Sequence, residues 1–136
     1  MRIRLGTSLA IGCLGLIAFA AVPGAAQEKH APRRIALKSG ESTELRNFYV
    51  VQHCRSILIG TPVLDVLEGG EDLTVTFKEG VKVPTKCTVP VPGGTVIATA
   101  KDVKAQKEAK LTIRLKFKTK IGERQTSNSY IVSLFP

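Results

Sequence analysis

The side chains with most chemistry to offer in this sequence are Cys54 and Cys87, His53 beside the first of them, the acidic group Glu68, Glu71 and Asp72, and the cations Lys110, Arg114, Lys116, Lys118 and Lys120. The two cysteines lack the close Cys-x-x-Cys or Cys/His spacing of a reactive dithiol or a metal site. In an oxidising compartment an isolated pair most simply forms one disulfide. Closing the loop between them would stabilise the fold by roughly 3 to 4 kcal/mol on a chain-entropy estimate. His53 could act as a general base, but that role needs a nucleophile or carboxylate placed against it, and neither Gly-x-Ser-x-Gly nor His-Glu-x-x-His occurs. His30, in a polar stretch, fares no better. No catalytic residue and no cofactor is therefore expected. The acidic group flanks Gly69-Gly70, and three carboxylates fall short of the roughly six to eight oxygens that calcium takes. A polar turn without a metal is the expectation there.

The row of cations is the most suggestive feature. Arg114, Lys116 and Lys118 would project from one side of a strand about 6.5 to 7 Å apart, a pitch that can meet successive anionic groups. The same lysines would also keep the protein soluble and guard an exposed strand against edge-to-edge pairing. Both readings stand at this point. Nucleic acid is not expected, because the row has no outward aromatic side chains for base stacking. Charge is unevenly placed along the chain: residues 27–77 carry six Lys/Arg against seven Asp/Glu, and residues 78–136 carry twelve against four. That asymmetry favours acidic polymers, anionic surfaces or acidic proteins as partners.

Strands must position these residues. Ile35 and Leu37 alternate with Arg34, Ala36 and Lys38, Ser39-Gly40-Glu41 turns the chain, and residues 45–54 are rich in strand-forming types. Residues 63–68 and 73–78, separated by Gly69-Gly70, have the pattern of a hairpin. Residues 79–93 hold Pro84, Pro90 and Pro92, too many fixed backbones for a central strand, so Cys87 should lie on an irregular or edge segment tied to the strand carrying Cys54. Residues 94–100 form a further strand, and 102–108 has helical character after an Asp cap. Residues 110–119 give the cleanest alternation, with Leu111, Ile113, Leu115 and Phe117 on one face. A turn at Gly122 and a last strand over 127–135 complete the set. About seven strands at roughly ten-residue spacing predict an all-β fold, an antiparallel sandwich.

Ahead of this domain, Arg2 and Arg4 precede an uncharged stretch over 5–22, followed by Pro23, Gly24, Ala25 and Ala26. This is the order of a secretory signal cut after Ala26. Gly6, Gly12 and Gly15 dilute the stretch as a membrane span. Ala10-Ile11-Gly12-Cys13 is similar to the box at which bacterial lipoproteins are lipidated, but cutting there would leave the apolar residues 14–22 on the mature chain. The expected organisation is a signal over 1–26, a flexible lead over 27–33 and one domain over 34–136.

The opening strands around residues 35–45 resemble those of bacterial immunoglobulin-like domains, without the antibody Trp and with Cys87 too early for the antibody disulfide. Cys54-Arg55-Ser56-Ile57-Leu58-Ile59-Gly60-Thr61-Pro62, Val66-Leu67-Glu68-Gly69 and Pro92-Gly93-Gly94-Thr95 resemble segments of a group of small secreted alphaproteobacterial proteins. That likeness implies export and an immunoglobulin-like sandwich, and it brings no activity with it.

Together these features predict a periplasmic or secreted, non-catalytic binding module for an envelope protein or anionic polymer, touching the membrane only through its signal during export. The alternative is an inhibitor or accessory subunit of a secreted enzyme, with the Pro-rich loop around Cys87 as a rigid insert. A small hydrolase ranks third. N-terminal sequencing of the exported form should begin at Gln27, and a start at Met1 would overturn the signal.

Overall fold

The computed structural model describes residues 31–136. The stretch expected to be an export signal with its cleavage site, Cys13, and the start of the expected polar lead with His30 lie outside the described residues.

Alternate residues of β8 (Lys107–Thr119) are taken out of water: Leu111, Ile113, Leu115 and Phe117 are buried, while Lys116 and Lys118 stay exposed. A strand with one apolar face needs backbone partners on each side and a layer to cover it. β9 (Gly122–Phe135) returns antiparallel along one side of β8, and β5 (Leu58–Glu68) runs antiparallel along the other. β1 (Arg33–Lys38) joins the far side of β9 in parallel, giving the order β1-β9-β8-β5.

The covering layer is an antiparallel sheet in the order β2-β7-β6, built from β2 (Ser42–Phe48), β7 (Val91–Ala100) and β6 (Leu73–Lys82). Between the sheets lies a single core that includes Leu37, Leu45, Phe48, Leu73, Val96 and Val132. Phe48 spans it, with its ring edge-on to Phe117 at 5.0 Å and to Phe77 at 6.0 Å. Two short strands, β3 (Val51–Gln52) and β4 (Arg55–Ser56), pair only with each other. The all-β sandwich is thus as expected, with seven long strands and two of two residues.

Three local expectations are corrected. Residues 63–68 and 73–78 do not form a hairpin, because β5 pairs with β8 and β6 pairs with β7, so Gly69-Gly70 carries the chain from one sheet to the other. Alternation tells which face of each strand is apolar and leaves its neighbour open. Residues 102–108 are not helical. Val103 is buried there with its amide donating to the Ser39 hydroxyl at 3.0 Å, and Lys107, Glu108 and Ala109 already pair with Leu134, Ser133 and Val132 of β9. Pairing to β9 satisfies backbone groups that a one-turn helix would leave open at both ends. Finally, β8 is a central strand, so its lysines do not guard a sheet edge; the edges are β1 and β5 in one sheet and β2 and β6 in the other. Boundaries also move: β1 starts at Arg33, inside the expected lead, the strand expected over 45–54 is Ser42–Phe48, β5 starts at Leu58, β6 runs on to Lys82, β9 starts at Gly122, and β7 starts at Val91 and includes Pro92. Pro92 pairs with Val81 of β6 and lies beyond Gly94, the end of the pairing with β2, so its missing N–H is tolerated.

At the crossing, Gly69 has φ +89°, and a Cβ there would stand 2.7 Å from the Lys110 carbonyl oxygen. Gly70 has room, with its nearest neighbour Val66 Cγ1 at 3.5 Å. Gly69→Ala should cost about 1 to 3 kcal/mol by urea denaturation, whereas Gly70→Ala should stay within about 0.5 kcal/mol of wild type. Equal effects would contradict the crossing.

Candidate functional site at the disulfide-braced end

Between β2 and β5 the chain leaves the core and doubles back as the β3–β4 hairpin, with His53 and Cys54 as its two-residue turn. Both have positive φ, 52° and 60°, as a type I′ turn requires. Neither is the Asn or Gly that takes this backbone at little cost. The cysteine therefore sits at a turn and not on a strand as expected, and His53 is an exposed turn residue. No hydrogen bond among the described residues joins His53 to a carboxylate.

Cys54 forms the expected disulfide with Cys87, their Cα atoms 5.6 Å apart. Cys87 follows Lys86, which also has a positive φ of 67°, and its amide donates to the Pro84 carbonyl at 3.0 Å. The bond thus ties the hairpin to the loop over 83–90, which joins β6 to β7. Two hydrogen bonds brace the same end: the Thr85 amide donates to the Tyr49 phenol oxygen at 3.4 Å, and the Lys120 amide donates to the Ile57 carbonyl at 2.9 Å. The Thr85 hydroxyl and then its amide favour the phenolate, holding the Tyr49 pKa below its ordinary value. All three connections at this end, 49–57, 83–90 and 120–121, are cross-linked.

Beside them β5 departs from β8. Ile59 pairs with Lys118 and Val63 with Lys116, so Gly60, Thr61 and Pro62 stand opposite Phe117 alone. Gly60 takes φ +70° in this bulge, and the Thr61 hydroxyl donates to the Glu79 carboxylate of β6. The bulge opens a groove of about 1050 Å³, with Ile59, Val63 and Phe117 as its apolar part and Lys116, Lys118 and Arg124 among its rim.

The five cations singled out from the sequence are divided by the structure. Lys116, Lys118 and Lys120 lie toward the disulfide end of β8, Arg114 lies midway, and Lys110 lies toward the opposite end. Most have acidic neighbours on the outer face: Lys110 is 3.9 Å from Glu68, Lys116 is 3.5 Å from Asp65, Lys118 is 3.8 Å from Glu123, and Arg114 is directly opposite Asp65. Arg34 of β1 pairs with Glu108 on the same face at 3.5 Å. These are solvent-exposed pairs worth about 0 to 1 kcal/mol each. Their effect on the field is larger, since they leave the sheet face nearly balanced.

The imbalance lies at the braced end. Segments 49–62, 78–93 and 116–125 together hold eight Lys/Arg and two Asp/Glu, whereas the rest of 31–136 holds nine against eight. Arg55, Lys78, Lys82, Lys86 and Arg124 are the members that the sequence reading passed over. A signal for two of them was present: Arg55 adjoins Cys54 and Lys86 adjoins Cys87, so pairing the cysteines brings these cations to the same end. At the opposite end the acidic group is occupied by cations, with Asp72 bonded to Lys107 and Glu68 beside Lys110. Among the described residues no group of three His, Cys, Asp or Glu is arranged to hold a metal ion.

Removing the disulfide as Cys54→Ser/Cys87→Ser should cost roughly 3 to 4 kcal/mol in chemical denaturation. Because Cys54 has positive φ, Cys54→Gly/Cys87→Ser should recover about 1 kcal/mol of that loss. A glycine variant no more stable than the serine one would rule out the turn geometry. No protein-family model, curated protein or solved structure matches the chain, so the activity of this end is argued from its own geometry.

Proposed function

We propose that the protein is an exported, non-catalytic binding module of immunoglobulin-like build, which holds an anionic partner of the cell envelope, a protein or a surface polymer, at its disulfide-braced end. The observation that carries this reading is the concentration of eight cations against two carboxylates in the three segments at that end. Such a field steers and retains anionic partners. Bracing adds to it, since loops fixed beforehand lose little freedom on binding.

Export to the periplasm or medium is supported by the Cys54–Cys87 disulfide, which suits an oxidising compartment, and by the signal-like order of residues 1–26. The immunoglobulin-like assignment is supported by the grouping of β5, β8 and β9 in one sheet and β2, β7 and β6 in the other, the arrangement of the central strands in that fold. A binding role in place of catalysis is favoured by His53, exposed in its turn with no carboxylate among the described residues bonded to it.

One observation favours inhibition or capping of a secreted enzyme as a second reading: the loop over 83–90 is pinned by Cys87 and Tyr49 and presents exposed Val83 and Val89. Salt separates the two. Capture of envelope extract on the immobilised protein should fall steeply between low and high ionic strength if cations hold the partner. Retention through an apolar insert should survive high salt. Lys82→Glu/Lys86→Glu/Lys120→Glu should abolish low-salt capture, whereas Lys110→Glu at the far end should leave it within about twofold, as expected for a screened, distant charge. Capture unaffected by the triple reversal would refute the reading.

A further inference from the structure

The braced end carries aliphatic surface as well as charge. Val81, Val83, Val89 and Ile121 are 69, 56, 61 and 60% exposed, and they lie in the same segments as Lys86, Lys120 and Arg124, which are exposed too. Val81 and Val83 lead into the loop that Cys87 pins, Val89 leads out of it, and Ile121 follows Lys120, whose amide is bonded to Ile57. A soluble polyanion would neutralise the cations and leave these four side chains in water. A surface with phosphates outside and hydrocarbon beneath accommodates both.

We propose that this end docks on a bilayer containing anionic lipid, with the cations among the headgroup phosphates and Val81, Val83, Val89 and Ile121 reaching the apolar boundary. The inference rests on the basic, braced end placed above as the binding site, and puts a lipid surface there in place of a protein or polymer: membrane contact continues in the folded domain after export. Charge complementarity selects this occupant, because the three segments at this end have a net charge of +6, or +5 when Asp65, which faces Lys116, is counted with them. Bracing matters here as well. The disulfide and the Tyr49–Thr85 and Ile57–Lys120 bonds hold the aliphatic residues outward, so docking requires little loop rearrangement.

The test is co-sedimentation of the exported form with vesicles of phosphatidylcholine, and of phosphatidylcholine mixed equally with phosphatidylglycerol, beside retention on immobilised dextran sulfate. Binding is expected to the mixed vesicles and not to the zwitterionic ones, weakening by at least roughly fivefold for each of Lys82, Lys86 and Lys120 changed to Glu. Val83→Ser/Val89→Ser, which leaves the charge unaltered, should weaken vesicle binding by about tenfold while leaving dextran sulfate retention unchanged. Because both valines are exposed, this variant should keep the wild-type melting temperature.

Vesicle binding unchanged by the valine variant overturns the lipid inference. So does retention on dextran sulfate, or of an acidic envelope protein, without vesicle binding; in those cases the basic end remains the binding site. If the triple charge reversal leaves both kinds of binding intact, the site itself is elsewhere and both proposals fall.

Discussion

Leu111, Ile113, Leu115 and Phe117 leave water only when β8 has a strand on each side and a sheet across its inner face, and the rest of the chain is arranged around that requirement. Burying these four fixes the pairing of β8 with β5 and β9, and the pairing then decides what each outward cation meets. Slipping either neighbour by one residue would turn its apolar side chains to solvent. The acidic neighbours of Lys110, Lys116 and Lys118 thus follow from the core. They contribute little to holding it, since each pair is exposed and weak.

The same core explains why one end needs a covalent tie. Phe48 closes the space between the sheets against Phe77 and Phe117, and β2 ends there. The backbone then passes close over β7: a Cβ on Gly93 would meet the Phe48 carbonyl oxygen, and one on Gly94 would meet Phe77 and the Lys78 carbonyl oxygen. Beyond this point only the half-buried Val50 and Leu58 still pack against the core, and the hairpin between them is exposed at its turn. A two-stranded hairpin alone is marginally stable in water, and this one turns through His53 and Cys54 in a backbone that neither residue favours. Covalent attachment to Cys87 and hydrogen bonds to neighbouring loops supply the order that burial cannot.

How much of this was legible in the sequence depended on whether the signal was local. The alternation in β1 and β8 and the turn at Ser39-Gly40 could be read because each strand has its own apolar face and each turn its own residues. The disulfide was legible because Cys54 and Cys87 are the two cysteines that follow the apolar stretch over 5–22. The crossing at Gly69-Gly70 was not, since a glycine pair permits a sharp turn whether the next strand continues the same sheet or enters the other. Residues 102–108 misled for a related reason: short polar stretches show weak helical preference, and the pairing of Lys107 to Ala109 with β9 overrode it. The row on β8 looked isolated along the chain because Asp65 and Glu68 lie in β5, about forty to fifty residues before the cations they face.

That last point moves the electrostatic character of the molecule from a face to an end. Cations alternating with carboxylates on a sheet produce fields that cancel over a few ångströms, well within the roughly 8 Å screening length at physiological salt. Cations gathered from three connections, with few acids between them, reinforce one another over that distance. Sequence spacing showed regular charge only on β8, the strand whose neighbours go furthest to neutralise it. Arg55, Lys86 and Arg124 have no regular spacing, yet the fold carries them to one end and the disulfide holds two of the contributing loops together. A field able to act on a partner therefore arises from topology and cross-linking, where the chain shows no repeat at all.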